Sequence, residues 1–168
     1  RELASALANQ VAVVVENINL LAETQQRSEE LQLLFSASAD LNLAQSYDDV
    51  LSALQQHTVL GEADRNISLN LFDHPWEGDD VPEWSIPVAR WTTLDNQALS
   101  GRYQLKNFPS ATKLLRPDAP TVIEDVAEDE RLDAQARSLY ARHFKGKSTI
   151  FAPLVVGGRW IGYVNAVY

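Results

Sequence analysis

The feature that most constrains the fold is a pair of apolar stretches near the C-terminus, joined by two adjacent glycines. Residues 148–156 and 159–168 are rich in β-branched and aromatic side chains, which favour β-strands. Gly157 and Gly158 can adopt the positive φ angles that a two-residue hairpin turn requires. The sequence therefore predicts an antiparallel hairpin, and the fold must contain an antiparallel sheet built around it.

Earlier stretches supply more of this sheet. Alternation of apolar and polar residues at 67–72 predicts a strand with one buried face. Residues 84–93 predict its antiparallel return strand, in which Pro87 indicates an edge position or a bulge. The residues between them, 73–82, include prolines, a glycine and several acids, and predict a long loop. Four further short elements are predicted in chain order: a strand at 101–105, a helix at 108–116, a strand at 120–124 and a helix at 134–144.

Residues 1–45 predict a long helix, because they contain neither glycine nor proline and are rich in Ala, Leu, Gln and Glu. Apolar residues recur in it with spacings of 4, 3, 4 and 3, the heptad pattern by which two helices pack side by side. These residues are Leu7, Val11, Val14, Ile18 and Leu21. We expect this seam to join two copies of the chain in a homodimer.

The seam fails at Gln25 and Ser28, within the polar stretch 23–30, and apolar spacing then resumes in a shifted register. The resumed positions are Leu31, Leu34, Phe35, Ser38 and Leu41. This pattern indicates one long helix, or two nearly continuous helices, with a stutter between them. We expect the second stretch to dock on the chain's own domain, with pairing to another helix as the alternative.

A new helix is predicted to begin at Ser46, which is a good N-cap and has Asp49 three residues later as a capping box. Gly61 is predicted to end this helix. We therefore divide the chain into a linker or signalling helix, residues 1–45, and a globular domain, residues 46–168.

Charge and cysteine content exclude several classes of function. The formal net charge is -9, which disfavours binding to nucleic-acid phosphates and to anionic membranes. With no cysteine, the chain has no disulfide, no thiolate metal ligand and no thiol nucleophile. No apolar run is long enough to span a bilayer and no signal peptide is visible, so we expect a cytoplasmic protein. The absence of methionine, and a first residue already within a helical pattern, indicate a piece of a larger protein.

The order of predicted elements and two sequence segments resemble the GAF domain family. PTVIEDVAEDERLD at 120–133 resembles a family segment, with Asp125, Asp129 and Arg131 on matching positions. STIFAPLVVGGRWIGYVNAVY at 148–168 resembles the family's closing hairpin. The matching residues there are Pro153, Leu154, Gly158, Ile161 and Gly162. The N-terminal helix looks like the helix that connects GAF domains in tandem arrays. The resemblance covers nearly the whole chain and is weakest at 73–107.

This resemblance implies an α+β fold of the GAF-like (profilin-like) kind. Its antiparallel sheet has five or six strands, with helices on one face and a long N-terminal signalling helix. It also implies a non-enzymatic sensory or regulatory domain of a signal-transduction protein, such as a sensor histidine kinase, next to further GAF or output domains. The domain would bind a small molecule, or relay a conformational signal through a dimeric helix. The alternative is a structural dimerisation module that binds no ligand.

By the same resemblance, a ligand would lie between the sheet and the short helices, in a concave and mostly apolar pocket. The candidate pocket residues are Phe72, Trp91, Tyr103, Phe108, Leu115, Asp125, Tyr140 and Phe151. Either these side chains line a ligand site, or the aromatic rings fill the space themselves. The sequence leaves both possibilities open.

Several chemistries of GAF relatives are excluded or disfavoured, and we expect no cofactor, no metal and no catalytic residue. Covalent bilin attachment and methionine-sulfoxide reduction both need a cysteine, which is absent. Non-covalent bilin or haem would need a pocket histidine. We expect His57 to be interfacial, and His74 and His143 to be solvated. The family's cyclic-nucleotide signature is missing. The acidic residues at 124–133 lack the spacing and central glycine of a calcium loop and predict a solvated turn.

Overall fold

The computed structural model describes the backbone of residues 2–94 and 101–168, and the side chains from Val14 onward within those ranges. The helices are α1 (Glu2–Leu43), α2 (Tyr47–His57), α3 (Ala111–Leu114) and α4 (Ala134–Arg137), which continues as a π-helix (Ser138–His143). Short 3₁₀ turns lie at Val59–Glu62 and Leu105–Asn107. The strands are β1 (Asn66–Trp76), β2 (Trp84–Thr92), β3 (Tyr103–Gln104), β4 (Thr121–Ile123), β5 (Thr149–Val156) and β6 (Arg159–Val167).

The strands form one antiparallel six-stranded sheet in the order β3-β2-β1-β6-β5-β4. This confirms the predicted α+β class and the predicted sheet of five or six strands. The hairpin of β5 and β6 is also confirmed, because Gly157 and Gly158 have φ angles of 57° and 77°, as its two-residue turn requires. Pro87 lies beside a bulge, where Leu69 pairs with Ala89 and Asn70 with Pro87.

β1 differs from its prediction in length and in burial. It extends to Trp76, into the stretch predicted as a loop, and both of its faces are buried. Ile67 and Leu69 face one side of the sheet, while Ser68 and Asn70 face the other and are buried as well. The expectation of a single buried face was wrong, because polar residues that hydrogen-bond inside a protein give the same alternation as residues that face water.

Apolar clusters cover both faces of the sheet. The prediction placed the helices on one face of the sheet. In the structure, α2 lies on one face and the short helices lie on the other. The cluster beneath α2 contains Leu51, Leu60, Ala63, Ile67, Leu69, Ala89, Val164 and Ala166. The cluster on the opposite face contains Phe72, Leu105, Leu114, Leu115, Ile123, Val126, Leu132, Ala136, Tyr140, Phe144, Phe151, Trp160, Tyr163 and Val167. The sheet is thus the middle of three layers.

The predicted capping box at Ser46 is confirmed. Its Oγ accepts a hydrogen bond from the backbone N–H of Asp49 at 3.2 Å, and Oδ2 of Asp49 accepts from the backbone N–H of Ser46 at 3.0 Å. A further bond from the backbone N–H of Gln45, together with those from Ser46, lowers the pKa of Asp49. α2 ends at His57, before the predicted end at Gly61, and the chain continues into a 3₁₀ turn.

From Val14 onward, α1 leaves most of its apolar residues uncovered. Leu31, Leu34 and Phe35 are 64%, 66% and 83% exposed, so the expectation that this stretch docks on the domain was wrong for them. The reason is that α1 meets α2 along a different side, where Ala37 is buried and Oδ2 of Asp40 lies 2.7 Å from Nε2 of His57. No helix in the described ranges is both long and apolar enough to cross a membrane.

The predicted dimer seam lies on α1. Val14, Ile18 and Leu21 are 55%, 61% and 73% exposed. The side chains of Leu7 and Val11 lie outside the described residues. A single chain therefore leaves the described part of the seam open to solvent, and pairing through it stays a prediction.

Candidate functional site

A partly enclosed cavity lies between the sheet and the short helices, on the face opposite α2. It contains about 60 Å³ of space that the centre of a water molecule can occupy. Its floor is formed by side chains of four strands: Ser68 and Asn70 of β1, Arg90 of β2, Phe151 of β5, and Tyr163 and Asn165 of β6. Alternate residues of a strand point to the same face, which explains why these residues share the cavity.

The roof of the cavity comes from the segments that follow β2. Tyr103, Leu105, Phe108, Leu115, Leu139 and Tyr140 contribute to it. Asp133 joins two of these segments, because one oxygen accepts from the backbone N–H groups of Gln135 and Ala136 and the other from the hydroxyl and N–H of Ser110. Burial raises the pKa of Asp133, but the bond from the Ser110 hydroxyl and those from backbone N–H groups outweigh it and lower the pKa overall. The carboxylate thus stays ionised and fixes the roof.

The asparagines in the floor are held by their amide nitrogens. Nδ2 of Asn70 donates to the Oγ and backbone oxygen of Ser68, at 3.0 and 3.1 Å, and weakly to the backbone oxygen of Tyr163 at 3.4 Å. Nδ2 of Asn165 donates to Oγ1 of Thr149 at 2.7 Å and to the backbone oxygen of Ile150 at 3.1 Å. Both side chains are therefore oriented by the sheet itself.

Two of the three tyrosines that line the cavity, Tyr140 and Tyr163, are neutral at physiological pH. Burial raises the pKa of Tyr163 to about 12, although its hydrogen bond with Ser85, 2.9 Å between the hydroxyl oxygens, acts in the opposite direction. Burial also raises the pKa of Tyr140 well above its usual value, and the nearby phenols of Tyr163 and Tyr103 add to this shift. Both residues can donate or accept hydrogen bonds but carry no charge for acid–base chemistry near pH 7.

An open surface groove adjoins the cavity. Tyr103, Phe108 and Leu139 line both spaces, so these side chains separate the cavity from the groove. The rings of Tyr103 and Phe108 meet edge to face at a centroid distance of 6.1 Å, and Nη2 of Arg90 donates to the hydroxyl of Tyr103 at 3.3 Å. Movement of these side chains would join the two spaces into a larger site.

The structure brings five of the predicted pocket residues to the cavity: Tyr103, Phe108, Leu115, Tyr140 and Phe151. Three others lie elsewhere. Phe72 is buried next to the cavity, where it packs against Trp160 and Tyr163 at centroid distances of 5.3 and 5.8 Å. Trp91 pairs with Ile67 and so faces the α2 side of the sheet. Asp125 is exposed, and its Oδ1 accepts from the backbone N–H groups of Ala127 and Glu128, as in an Asx turn.

Sequence reasoning missed the polar residues of the floor. Ser68 and Asn70 alternate with apolar neighbours, and this alternation predicts that they lie on a face of the strand that is not buried. Asn165 gave a clearer signal, because it stands within a strongly apolar strand, where a lone amide needs a buried hydrogen-bond partner. Arg90 and Tyr163 gave no signal that separates them from ordinary strand residues.

No histidine lines the cavity in the part of the chain that the structure describes. His57 lies between α1 and α2, as expected. His143 is exposed, and His74 lies 3.5 Å from Asp73 and 3.7 Å from Asp80 at the end of β1. The described ranges contain no group of three metal-ligating side chains. In the acidic turn, Asp129 pairs with Arg131 at 2.6 Å, and this hydrogen bond lowers the pKa of the carboxylate.

Comparison with known proteins identifies the fold. A GAF domain/HD domain protein from Geobacter sulfurreducens is 20% identical over 72% of this chain and 73% of its own, with a TM-score of 0.51. The phycocyanobilin-bound GAF domain of a cyanobacterial phytochrome is 15% identical over 83% and 79%, with a TM-score of 0.56. The GAF domain of a phosphoenolpyruvate-protein phosphotransferase from Coxiella burnetii is 15% identical over 83% and 77%, also with a TM-score of 0.56. No family model and no curated protein matches the chain. The six-stranded sheet, its two covering layers and the long first helix therefore form the fold of a GAF domain.

Proposed function

We propose that this chain is a non-enzymatic sensory or regulatory domain that binds a small molecule in the cavity and relays the event through α1. The observation that carries this proposal is the position of β1. Its Ser68 and Asn70 form the floor of the cavity, while Ile67 and Leu69 on its other face pack in the cluster beneath α2. A ligand that shifts β1 therefore acts on α2 through the thickness of a single strand.

α2 connects this strand to α1. Leu51 of α2 packs in the same cluster as Ile67 and Leu69, and His57 at its end lies 2.7 Å from Asp40 of α1. Ala37, one turn earlier on α1, is buried. Packed elements transmit small displacements because interiors are dense. A change in the tilt or register of α1 is the output that this path supports.

The chemistry of the cavity favours binding over catalysis. Its described lining contains amides, hydroxyls, apolar groups and one guanidinium, but no carboxylate and no imidazole. Burial raises the pKa values of Tyr140 and Tyr163, which hold their protons near neutral pH. A general acid or base needs a pKa near the working pH, which these two phenols lack. Among the solved structures with this fold, one GAF domain is bound to phycocyanobilin and another to phycoerythrobilin.

The exposed apolar residues of α1 support a homodimer. Val14, Ile18 and Leu21 lie at heptad positions and are more than half exposed, and such contiguous apolar surface is typical of an interaction site. In a tandem arrangement, α1 would join this domain to neighbouring GAF or output domains of a cytoplasmic signalling protein, such as a sensor histidine kinase. The heptad break at 25–28 would allow two registers of the helix pair.

Single-cysteine crosslinking tests the dimer, since the natural chain has no cysteine of its own. Ile18→Cys should form disulfide-linked dimers at micromolar concentration. The matched control Glu16→Cys is exposed on the same helix but off the heptad seam, and it should crosslink much less. Equal yields for the two variants, or none for either, would remove the basis for the dimer.

Native mass spectrometry of the purified domain tests the ligand. A dimer with extra mass that dissociates as a small molecule would support a sensor. A dimer without an adduct would favour a second candidate function, a structural dimerisation module that binds nothing. The small cavity volume and the exposed face of α1 are the observations that favour this alternative.

A further inference from the structure

Two asparagines in the cavity floor each have a side-chain carbonyl oxygen that accepts no hydrogen bond from the described residues. Asn70 and Asn165 are 3% and 4% exposed, and both line the cavity. Their amide nitrogens donate to the protein, whereas neither Oδ1 accepts a hydrogen bond from any described residue. Polar groups of buried side chains are usually paired, so these two acceptors are available to a ligand or water in the cavity that donates to them.

Hydroxyl donors face the same space. Tyr140 is buried and lines the cavity, and its hydroxyl makes no hydrogen bond with the described residues. Oγ of Ser68 accepts from Asn70, and its own proton has no described acceptor. Both hydroxyls carry a proton at neutral pH and can donate to a ligand. The cavity thus offers acceptors in the floor and donors in the floor and roof.

The charge around the cavity disfavours an ionised ligand group. No carboxylate lines it among the described residues, so a buried cation would have no opposite charge beside it. An anion would meet the positive charge of Arg90, which also donates to the hydroxyl of Tyr103, but it would face the two asparagine oxygens, which can only accept hydrogen bonds. A neutral group that both donates and accepts satisfies the available atoms best.

We propose that the cavity binds a neutral carboxamide group, whose N–H donors meet Asn70 and Asn165 and whose carbonyl oxygen accepts from Tyr140 or Ser68. This inference depends on the proposed ligand-binding function and specifies the chemical class of the ligand. A water needs roughly 10–15 Å³ of such space. The 60 Å³ present therefore suits a group of acetamide size. The rest of a larger ligand would pass between Tyr103 and Phe108 into the adjoining groove.

Four isosteric probes test the class directly: acetamide, acetone, acetate and acetamidinium. Each is titrated into the folded domain while the side-chain amide NMR signals of Asn70 and Asn165 are followed. Acetamide should bind at least about tenfold more tightly than the other three, because each of them leaves a buried polar group unpaired or brings in a charge. Three outcomes would each overturn the inference. Acetate could bind best, acetone could bind as tightly as acetamide, or no probe could shift the signals at 100-fold excess over protein.

Matched variants separate the ligand role of Asn70 from its structural role. Asn70→Ala should reverse the preference, so that acetone binds at least as well as acetamide. Asn66→Ala is the control, because Asn66 is a buried asparagine on the same face of β1 that does not line the cavity and reaches Oγ of Ser68 only through a weak hydrogen bond of 3.5 Å. That variant should keep the preference for acetamide. Loss of the preference in both variants, or in neither, contradicts the assignment of Asn70, and the probe series on the natural chain stands if a variant fails to fold.

The crosslinking yield of Ile18→Cys, measured with and without acetamide, distinguishes the two proposals. If acetamide binds but the yield is unchanged, the relay to α1 fails and the ligand class stands. If a co-purified molecule changes the yield but acetamide does not bind, the ligand class fails and the relay stands.

Discussion

Tyr163 and Tyr140, two of the three tyrosines that line the cavity, allow a matched test of how much the hydrogen bond of a buried hydroxyl contributes to stability. Tyr163 and Tyr140 are both buried, and each can lose its hydroxyl by substitution with phenylalanine. Tyr163 shares a 2.9 Å hydrogen bond with Ser85, which is fully buried. Tyr140 has no such partner among the described residues. The same chemical change should therefore have very different effects at the two positions.

The expected change in unfolding free energy depends on whether removal of each hydroxyl leaves another buried polar group without a partner. Tyr163→Phe removes one hydrogen bond and strands the Ser85 hydroxyl, and together these should cost about 2 kcal/mol of unfolding free energy. Tyr140→Phe removes a hydroxyl without a protein partner, so its effect should stay within about 0.5 kcal/mol of zero. For a domain of this size, about 2 kcal/mol corresponds to a fall of roughly 4–8 °C in Tm.

Urea unfolding followed by tryptophan fluorescence measures both variants, since Trp160 lies in the same buried cluster. Ser85→Ala and the double variant Ser85→Ala/Tyr163→Phe complete a double-mutant cycle. The double variant should be more stable than the sum of the single changes predicts, because no polar group is left stranded. Equal destabilisation by Tyr163→Phe and Tyr140→Phe, or strict additivity in the cycle, would refute the reasoning.

Three further predictions concern the cap, a close backbone approach and alkaline pH. Ser46→Ala should cost about 1 kcal/mol by loss of the N-cap. The exposed control Ser52→Ala in the same helix should change stability by less than about 0.5 kcal/mol in urea melts. Gly162→Ala should cost more than about 2 kcal/mol, because its Cβ would collide with the backbone oxygen of Asn70, whereas Gly101→Ala has open space and should be nearly neutral. The folded pKa of Tyr163 is raised from 10.0 to about 12, so its contribution to stability is complete below pH 10 and falls as pH rises towards 12. Urea midpoints between pH 8 and 12 should therefore fall more steeply for the natural chain than for Tyr163→Phe.

Local chemistry made some elements predictable. The glycine pair at the hairpin turn and the capping box at Ser46 each depend on a few adjacent residues, and both appear as expected. The strand order could not be read from local patterns, because β1 and β6 pair across about half the chain. The family resemblance supplied the fold class instead, and the comparison of folds bears that out.

Sequence patterns gave wrong predictions of burial where they could not show what a residue packs against. Ser68 and Asn70 face a cavity, and their pattern cannot be told from that of a water-exposed face. Leu31 and Phe35 have the spacing of a docked helix, yet they face solvent because α1 meets the domain along another side. The family resemblance predicts Trp91 in the pocket, but its pairing with Ile67 turns it to the opposite face of the sheet.

The position of β6 in the sheet affects when the domain can fold during its synthesis. β6 is a central strand, between β1 and β5, but it is the last of the six strands in the chain. Until it emerges from the ribosome, Val164 and Ala166 are missing from one cluster, and Tyr163 and Val167 from the other. Neither layer can then close on the sheet, and β1 presents an unpaired edge that invites aggregation. We therefore expect the sheet and both of its covering layers to be completed only after residue 167 is synthesised.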